Sequence, residues 1–501
     1  MPIHRPLGIT TGAAGAEQLN PTLDISVGLC ENAIAFRRLN AIDGHTTALR
    51  EPPVSKTCLP LCAIIIFAAF LPISASSATI EEVSEIAPVW AGHPVRFALL
   101  THGEQQFVAY FDDQRQMTVA SRSLDSDQWQ FVKLPSKIAW DSHNYITMAV
   151  DSDGHIHLSG NMHCVPLIYF RSSRPLDIKS FEKIPAMVGK DEKRCTYPRF
   201  IRGHKDQLIF VYRSGSSGNG SRYFNVYDPK TQKWKRLLDS PLFDGQGKRN
   251  AYFVGPVKDN SGMFHVCWVW RDTPDCNTNH HISYVRSKDL VNWETSDGRP
   301  LELPITIENA KVIDPVPPGG GMLNGNTKIG FDAQGRVVIG YHKFDADGNT
   351  QIYNARRETC GWKIYQTTDW DYRWEFSGGG TIIAHVRLGP VEVGPNGDLV
   401  QYFRNSKNGS GNWRLDPVNL KPIGRVARQK TSSPEISRLE SNHPGMGVRT
   451  AADLGKAPQP QVRYIIRWES LPQNRDRPPK GKLPQPSMLR VYKLKDAKEE
   501  R

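Results

Sequence analysis

The chain has 501 residues, of which 39% are hydrophobic and 23% are charged, and it contains 41 glycines and 36 prolines. This is the composition of a turn-rich globular protein, and it excludes a chain that is disordered throughout. The formal net charge of +12 favours an anionic partner, either a nucleic acid, an anionic lipid surface or an acidic polysaccharide. No basic run is interleaved with RNA-type aromatic motifs, so the sequence predicts no nucleic-acid partner.

An apolar stretch comes first along the chain. Residues 54–78 contain one basic residue, a short apolar core from Leu59 to Leu71 and then small residues that end at Ala78, which is the pattern of a signal peptide. The core is shorter than the roughly 20 apolar residues of a membrane-spanning helix. We therefore expect a secreted or periplasmic protein without stable membrane association. Residues 1–53 show no periodicity, and we expect an unstructured extension or the result of a mis-set start codon.

From about Val89 onward, short strand-like runs alternate with turn signals, and no long amphipathic helix interrupts them. Several of these units end in a polar turn followed by an aromatic residue. The aromatic residues recur at intervals of 51 to 69 residues and are Trp129, Phe181, Trp234, Trp293, Trp362 and Trp413. A four-stranded propeller blade has a comparable length. The sequence therefore predicts an all-β propeller over residues 79–501 as one domain, with these aromatic residues as structural pins.

Polar residues gather at the ends of the strand-like runs between Asp141 and Tyr252. The strings found there are DSHNYITMAVDSDGHIHLSGNMHCVPLIYFRS, CTYPRF, YRSGSSGNG and NAYF, and WVWRDTPDCNTNHHISYVRS follows them. In these strings the chain resembles the BNR-repeat, Asp-box-like propeller family that includes the ulvan lyases. The resemblance covers nearly everything after residue 78, and it implies a propeller of seven blades.

The resemblance also implies an active site. Matched residue by residue, its histidines are His143 of SHNY and His163 of GNMH, and its other members are Tyr197 of TYPRF, Arg213 of YRSG and Tyr252 of NAYF. The implied activity is that of a polysaccharide lyase, which cleaves an acidic, uronate-containing and ulvan-like polysaccharide by β-elimination. The implied partner is therefore an anionic polysaccharide.

β-Elimination gives an independent reason to expect these residue types. It requires that the uronate carboxylate be neutralised, that the C5 proton be removed and that the leaving oxygen be protonated. Arg213 suits the first task, because a guanidinium stays charged and binds a carboxylate through two hydrogen bonds. His143 suits the second as a neutral imidazole, and Tyr197 suits the third. His163 and Tyr252 are expected to bind the substrate.

The string HVCWVWRDTPDCNTNHH contains a second cluster of reactive side chains. In a strand, His265 and Cys267 lie on the same face, and Cys276, His280 and His281 follow after a turn. Two cysteines with two histidines make a structural zinc set, and the resemblance implies a structural zinc as well. The expected ligands are His265, Cys267, Cys276 and His281, with His280 as the alternative to His281. The competing interpretation is a pair of buried thiols with incidental histidines.

The cysteines after Ala78 are odd in number, so they cannot all form disulfides within one chain. Cys164 and Cys195 are the pair that an oxidising compartment would allow.

Two other functions stay open. A glycoside hydrolase of the sialidase kind is the first, but the motifs offer neither its arginine triad with a Tyr–Glu pair nor a couple of acidic residues for hydrolysis. The second is a non-catalytic carbohydrate-binding propeller, in which the same aromatic and basic residues only bind the sugar. The sequence does not set the oligomeric state.

Overall fold

The computed structural model describes residues 78–426 and 433–496. The expected extension and all of the expected signal peptide except Ala78 lie outside the described residues. The described residues belong to one compact unit of the chain. In these two ranges, no helix is long and apolar enough to cross a membrane.

The described strands form seven sheets, and the strands within them pair antiparallel. After β1 (Thr79–Val89), the first sheet contains β2 (Ala98–His102), β3 (Gln105–Phe111), β4 (Gln116–Ser123) and β5 (Gln130–Lys137). The second contains β6 (Ile146–Val150), β7 (Ile156–Gly160), β9 (Tyr169–Ser172) and β10 (Phe181–Lys183). The strand between β7 and β9 in the chain, β8 (His163–Val165), belongs to the third sheet. The third combines β8 with β11 (Cys195–Arg202), β12 (Leu208–Ser216), β13 (Asn219–Asp228), β14 (Lys233–Arg236) and β15 (Phe243–Asp244).

The remaining sheets follow in chain order. The fourth contains β16 (Asn250–Lys258), β17 (Phe264–Arg271), β18 (Asn279–Ser287), β19 (Trp293–Glu294) and β20 (Val312–Asp314). The fifth contains β21 (Lys328–Phe331), β22 (Val337–Phe344), β23 (Thr350–Glu358) and β24 (Gly361–Gln366). The sixth contains β25 (Val386–Val393), β26 (Leu399–Asn405), β27 (Gly409–Leu415) and β28 (Pro422–Val426). After the one-turn helix α1 (Pro434–Ser437) come β29 (Gly447–Ala452), β30 (Val462–Ser470) and β31 (Ser487–Lys495).

The seventh sheet joins the two ends of the described chain, in the order β1-β31-β30-β29. β1 pairs with β31 along its whole length, from Thr79 opposite Lys495 to Val89 opposite Ser487. This pairing gives β31 a neighbour on both sides, so it removes an exposed sheet edge. The all-β class expected from the sequence is confirmed. The number of blades stays a prediction.

Hairpin turns share a repeated hydrogen-bond pattern. The carboxylate of Asp151 accepts the backbone N–H groups of Asp153 at 3.0 Å and His155 at 2.8 Å, between β6 and β7. In the same way, the carboxylate of an aspartate accepts the backbone N–H groups of the residues two and four positions later in the chain at Asp112, Asp259, Asp332 and Asp345. Such turns satisfy backbone donors locally and tighten the hairpins.

The recurrent tryptophans pack within the sheets. Trp293 is 2% exposed, and its indole N–H donates to the carbonyl of Leu290 at 3.1 Å. Trp413 stacks on Phe403 of the neighbouring strand, with ring centroids 3.7 Å apart. None of the recurrent tryptophans lines the cleft described below, which agrees with their interpretation as structural pins.

Candidate active site

A cleft of about 430 Å³ lies where loops and first strands of several sheets meet. Its lining includes His143, His163, Tyr197 and Tyr252, four of the five residues expected in the active site. They come from the segment before β6 and from β8, β11 and β16. The structure therefore brings together four side chains that are distant in sequence. The chemical roles assigned to them stay predictions.

The two histidines share one carboxylate. Their ring centroids lie 4.4 Å apart. Asp141 lies 2.6 Å from Nδ1 of His143 and contacts Nδ1 of His163 through its other oxygen. Burial alone would raise the pKa of Asp141, but the hydrogen bonds from both imidazoles outweigh burial and hold the pKa well below its usual range. Because each Nδ1 faces the carboxylate, Nε2 is the ring nitrogen left to exchange a proton with a bound molecule.

A second carboxylate joins segments at the rim of the cleft. Asp476, between β30 and β31, accepts the hydroxyl of Ser142 at 2.7 Å and the backbone N–H of Thr381 at 2.8 Å. It also lies 3.5 Å from Nδ1 of His143. Asp476 therefore fixes the segment that carries Asp141 and His143 against two loops that are remote in sequence.

Tyr197 is directed by a bulge in β11. The pairing of β11 with β12 shifts register between Thr196 and Arg199, and Tyr197 has a φ of 58°. A left-handed conformation is costly for an aromatic residue, and more so before a proline such as Pro198. The ring of Tyr197 meets that of His143 edge to face, with centroids 5.7 Å apart. Burial and, next, the nearby Tyr252 raise the pKa of Tyr197 well above its usual range, so its phenol is a proton donor at pH 7.

Tyr252 lines the cleft beside Tyr197, with ring centroids 6.4 Å apart. Its hydroxyl lies 2.7 Å from Oγ of Ser217, at the turn between β12 and β13. Ser217 therefore orients the phenol, and the sequence motifs did not single it out.

Arg213 lies behind the cleft instead of in it. The residue is 0% exposed, and it is not among those that line the cleft. Its Cζ lies 5.0 Å from the ring centroid of Tyr197, and the guanidinium donates to Thr196 at 3.0 Å and to the sulfur of Cys164 at 3.3 Å. Tyr197 thus separates Arg213 from a sugar in the cleft. The direct contact expected between Arg213 and a substrate carboxylate is not available in this geometry.

Other arginines supply the positive charge of the cleft. They are Arg199, Arg222, Arg271 and Arg387. The described lining contains no aspartate or glutamate, and none of the four forms an ion pair with an acidic side chain in the described ranges. The cleft is therefore built to receive an anion. Arg199 of CTYPRF and Arg271 of WVWRDT lie in the quoted strings but were not expected in the site, and Arg222 and Arg387 lie outside those strings.

The expected zinc ligands do not come together. His265 lies between Asp259 and the hydroxyl of Tyr284, at 3.1 Å and 2.6 Å, and it pairs with Arg286 of β18. Arg286 is five residues along that strand from His281, a separation of about 17 Å at roughly 3.4 Å per residue. His281 instead contacts the carbonyl of Val316 through Nδ1 at 3.0 Å.

The two expected cysteine ligands are buried in different apolar clusters, Cys267 in the one that includes Val269 and Cys276 in the one that includes Trp374. Burial raises the pKa of both thiols. These residues do not fit a four-ligand zinc site. Among the described residues, the one group of three or more His, Cys, Asp and Glu side chains close enough to hold an ion is Asp141, His143 and His163.

The disulfide that an oxidising compartment would allow is not formed. Cys164 and Cys195 both carry free thiols. The sulfur of Cys164 contacts Arg213, whereas that of Cys195 lies 3.4 Å from the carbonyl of Glu192. Each thiol therefore serves local packing and hydrogen bonding.

Residues 105–370, more than half of the chain, match the BNR repeat-containing family. The chain belongs to this family. It is 30% identical over 130 residues to the short isoform of an ulvan lyase from Alteromonas sp. (strain LOR), which covers 24% of this chain and 25% of that protein. It is 23% identical over 316 residues to an ulvan lyase from Pseudoalteromonas sp. (strain PLSV), which covers 54% of this chain and 63% of that protein. These matches span less than two thirds of either relative.

Comparison with solved structures supports the same fold for this member of the BNR repeat-containing family. A solved structure of a PL25 ulvan lyase bound to -[GlcA(1-4)Rha3S]- has a TM-score of 0.51 and 14% sequence identity, covering 82% of this chain and 96% of that one. The similarity shows that the chain shares the β-propeller fold of the ulvan lyases.

Proposed function

We propose that this protein is a polysaccharide lyase that cleaves an acidic, ulvan-like polysaccharide by β-elimination at a uronate. The observation that carries the proposal is the convergence of His143, His163, Tyr197 and Tyr252 in one arginine-lined cleft. The similarity to proteins named ulvan lyases supports it, and so does a related structure with a bound uronate-containing oligosaccharide.

In the proposed reaction, Nε2 of His143 removes the proton from C5 of the uronate. The electron pair of that bond forms the C4–C5 double bond as the bond between C4 and the glycosidic oxygen breaks. Tyr197 protonates the leaving oxygen, and its raised pKa means that the phenol carries its proton at neutral pH. His163 and Tyr252 bind and orient the sugar.

Two features distinguish this proposal from its alternatives. Inverting and retaining hydrolases need a pair of carboxyl groups across the scissile bond, and the described cleft lining contains none. A binding protein has no need of two proton-transfer groups in contact, such as His143 and Tyr197. We further infer secretion or a periplasmic location from the signal-peptide pattern of residues 54–78.

Product analysis of the purified protein tests the proposal. Incubation with ulvan and with other uronate-containing polysaccharides should produce ultraviolet absorbance from an unsaturated uronate at the new non-reducing ends. New reducing ends without that absorbance would indicate a hydrolase instead. Binding without either product would indicate a carbohydrate-binding propeller.

A further inference from the structure

Arg222 occupies a position that no motif singled out. It lies on β13 directly opposite Arg213 on β12. It is 3% exposed and lines the cleft. Its Cζ lies 4.2 Å from the ring centroid of Phe253 and 5.8 Å from that of Tyr197. Arg222 therefore lies in the cleft beside the phenol of Tyr197, whereas Arg213 lies on the buried side of that ring.

The guanidinium of Arg222 has no anionic partner in the described part of the chain. It forms no ion pair there, and its buried Nε has no hydrogen-bond partner. Two buried guanidinium groups on facing strands repel each other, and an uncompensated buried charge is strongly unfavourable. Burial and, next, the charge of Arg213 lower the pKa of Arg222 to about 9, so Arg222 remains a cation at neutral pH. An anion from outside the chain would compensate this pair.

Two of the other three cleft arginines already donate to the protein. Arg271 donates to the backbone carbonyls of Thr273 and Pro274. Arg199 donates to the carbonyl of Gly255 at 2.7 Å. Both of these guanidinium groups already donate to backbone carbonyls, whereas that of Arg222 packs on aromatic faces. Arg387 is on β25, in a different sheet from Tyr197 and Arg222.

We propose that Arg222, and not Arg213, binds the uronate carboxylate directly, with Arg213 as a positioning residue behind Tyr197. This inference rests on the proposed lyase function, because it takes a uronate as the occupant of the cleft. The carboxylate and the proton to be removed are both attached to C5. A sugar whose C5 proton meets His143 and whose leaving oxygen meets Tyr197 must therefore place its carboxylate beside these two rings, where Arg222 lies. A sulfate ester on a neighbouring sugar would lie further along the cleft.

The test compares oligosaccharides that carry a free uronate with the same oligosaccharides after methyl esterification, which removes the negative charge of the carboxylate. Affinity is measured by calorimetry in a Tyr197→Phe background, so that binding is read without turnover. The background chain should prefer the free acid by roughly 10- to 100-fold, the range for a charged hydrogen-bonded contact. Arg222→Gln in that background should abolish the preference. Arg414→Gln, which removes an exposed positive charge on β27, should retain it.

Two results would overturn the assignment. One is a preference for the free acid that persists in Arg222→Gln and is lost in Arg213→Gln. The other is loss in Arg222→Gln of discrimination between sulfated and desulfated oligosaccharides, with the carboxylate preference intact. If Arg222→Gln does not fold, Arg222→Lys gives the same reading, because an ammonium cannot form the paired hydrogen bonds and should reduce the preference. If no elimination product forms while Arg222→Gln loses the preference, the lyase proposal fails and the assignment of Arg222 stands.

Discussion

Asp141 accepts hydrogen bonds from both histidines of the cleft, so the orientation of both imidazoles depends on one carboxylate. Part of this arrangement was accessible from the sequence. His143, His163, Tyr197 and Tyr252 were found by matching motifs, and Asp141 stands in the same DSHNY string, two residues before His143. Asp476 contacts Ser142, although the two residues are 334 positions apart in the chain. A contact between residues so distant in sequence is visible only in the structure.

Removal of the shared carboxylate should impair catalysis more than binding. We expect Asp141→Ala to lower kcat by about 10- to 100-fold with a smaller change in KM, because the imidazoles lose the partner that fixes their orientation. Asp141→Asn, which keeps an acceptor oxygen, should recover part of the loss. Asp125→Asn, at an exposed carboxylate, is the matched control and should behave as the unaltered chain. Equal kcat in Asp141→Ala and the unaltered chain would contradict this role.

The same carboxylate should contribute to the pH dependence of stability. The pKa of Asp141 is lower in the folded chain than in the unfolded chain, where it is about 3.9. Its stabilising contribution is therefore present above that value and is lost as the pH falls below it. We expect the melting temperature to fall less between about pH 5 and about pH 2 in Asp141→Asn than in the unaltered chain. Parallel curves for the two chains, with Asp125→Asn as reference, would argue against it.

At the scale of strands and sheets, the spacing of the recurrent aromatic residues predicted the all-β class because it reports packing that recurs in six of the seven sheets. The zinc ligands were predicted from alternation along one strand, which placed His265 and Cys267 correctly on β17. That alternation carries no information about register with β18, and the register places His281 opposite the other end of β17. The expected contact between Arg213 and the substrate carboxylate is not formed for a related reason. A motif match gives the position of a residue in the sequence, but it does not show whether the side chain is buried behind the cleft.

The structural interpretation of the recurrent tryptophans makes a clear prediction. Trp293→Ala should lower the free energy of unfolding by about 3–5 kcal/mol, since the side chain is buried and leaves a cavity. The half-buried Trp362 serves as comparison, and Trp362→Ala should cost less. Thermal or denaturant unfolding measures both. For enzyme that remains folded, kcat should be unchanged, because neither indole lines the cleft; a selective loss of kcat in Trp293→Ala would contradict the interpretation.

At the scale of the whole unit, β1 and β31 close the seventh sheet, and the cleft draws residues from the segments between the sheets. Repetition along the chain made the fold class predictable, because each repeat predicts a similar packing unit. The cleft was predictable only where a motif marked it. The positions of Arg222, Arg387 and Asp476 in or beside the cleft depend on how neighbouring sheets are arranged, which no single repeat encodes.

A crystal structure of the Tyr197→Phe variant with a bound uronate oligosaccharide tests most directly whether this cleft carries out the elimination. The expected result is a uronate ring in the cleft, with its C5 proton directed at Nε2 of His143, its glycosidic oxygen beside the ring of residue 197 and its carboxylate on a cleft arginine. An oligosaccharide bound at another face of the propeller, or a uronate whose C5 points away from both histidines, would contradict the assignment of this cleft as the active site.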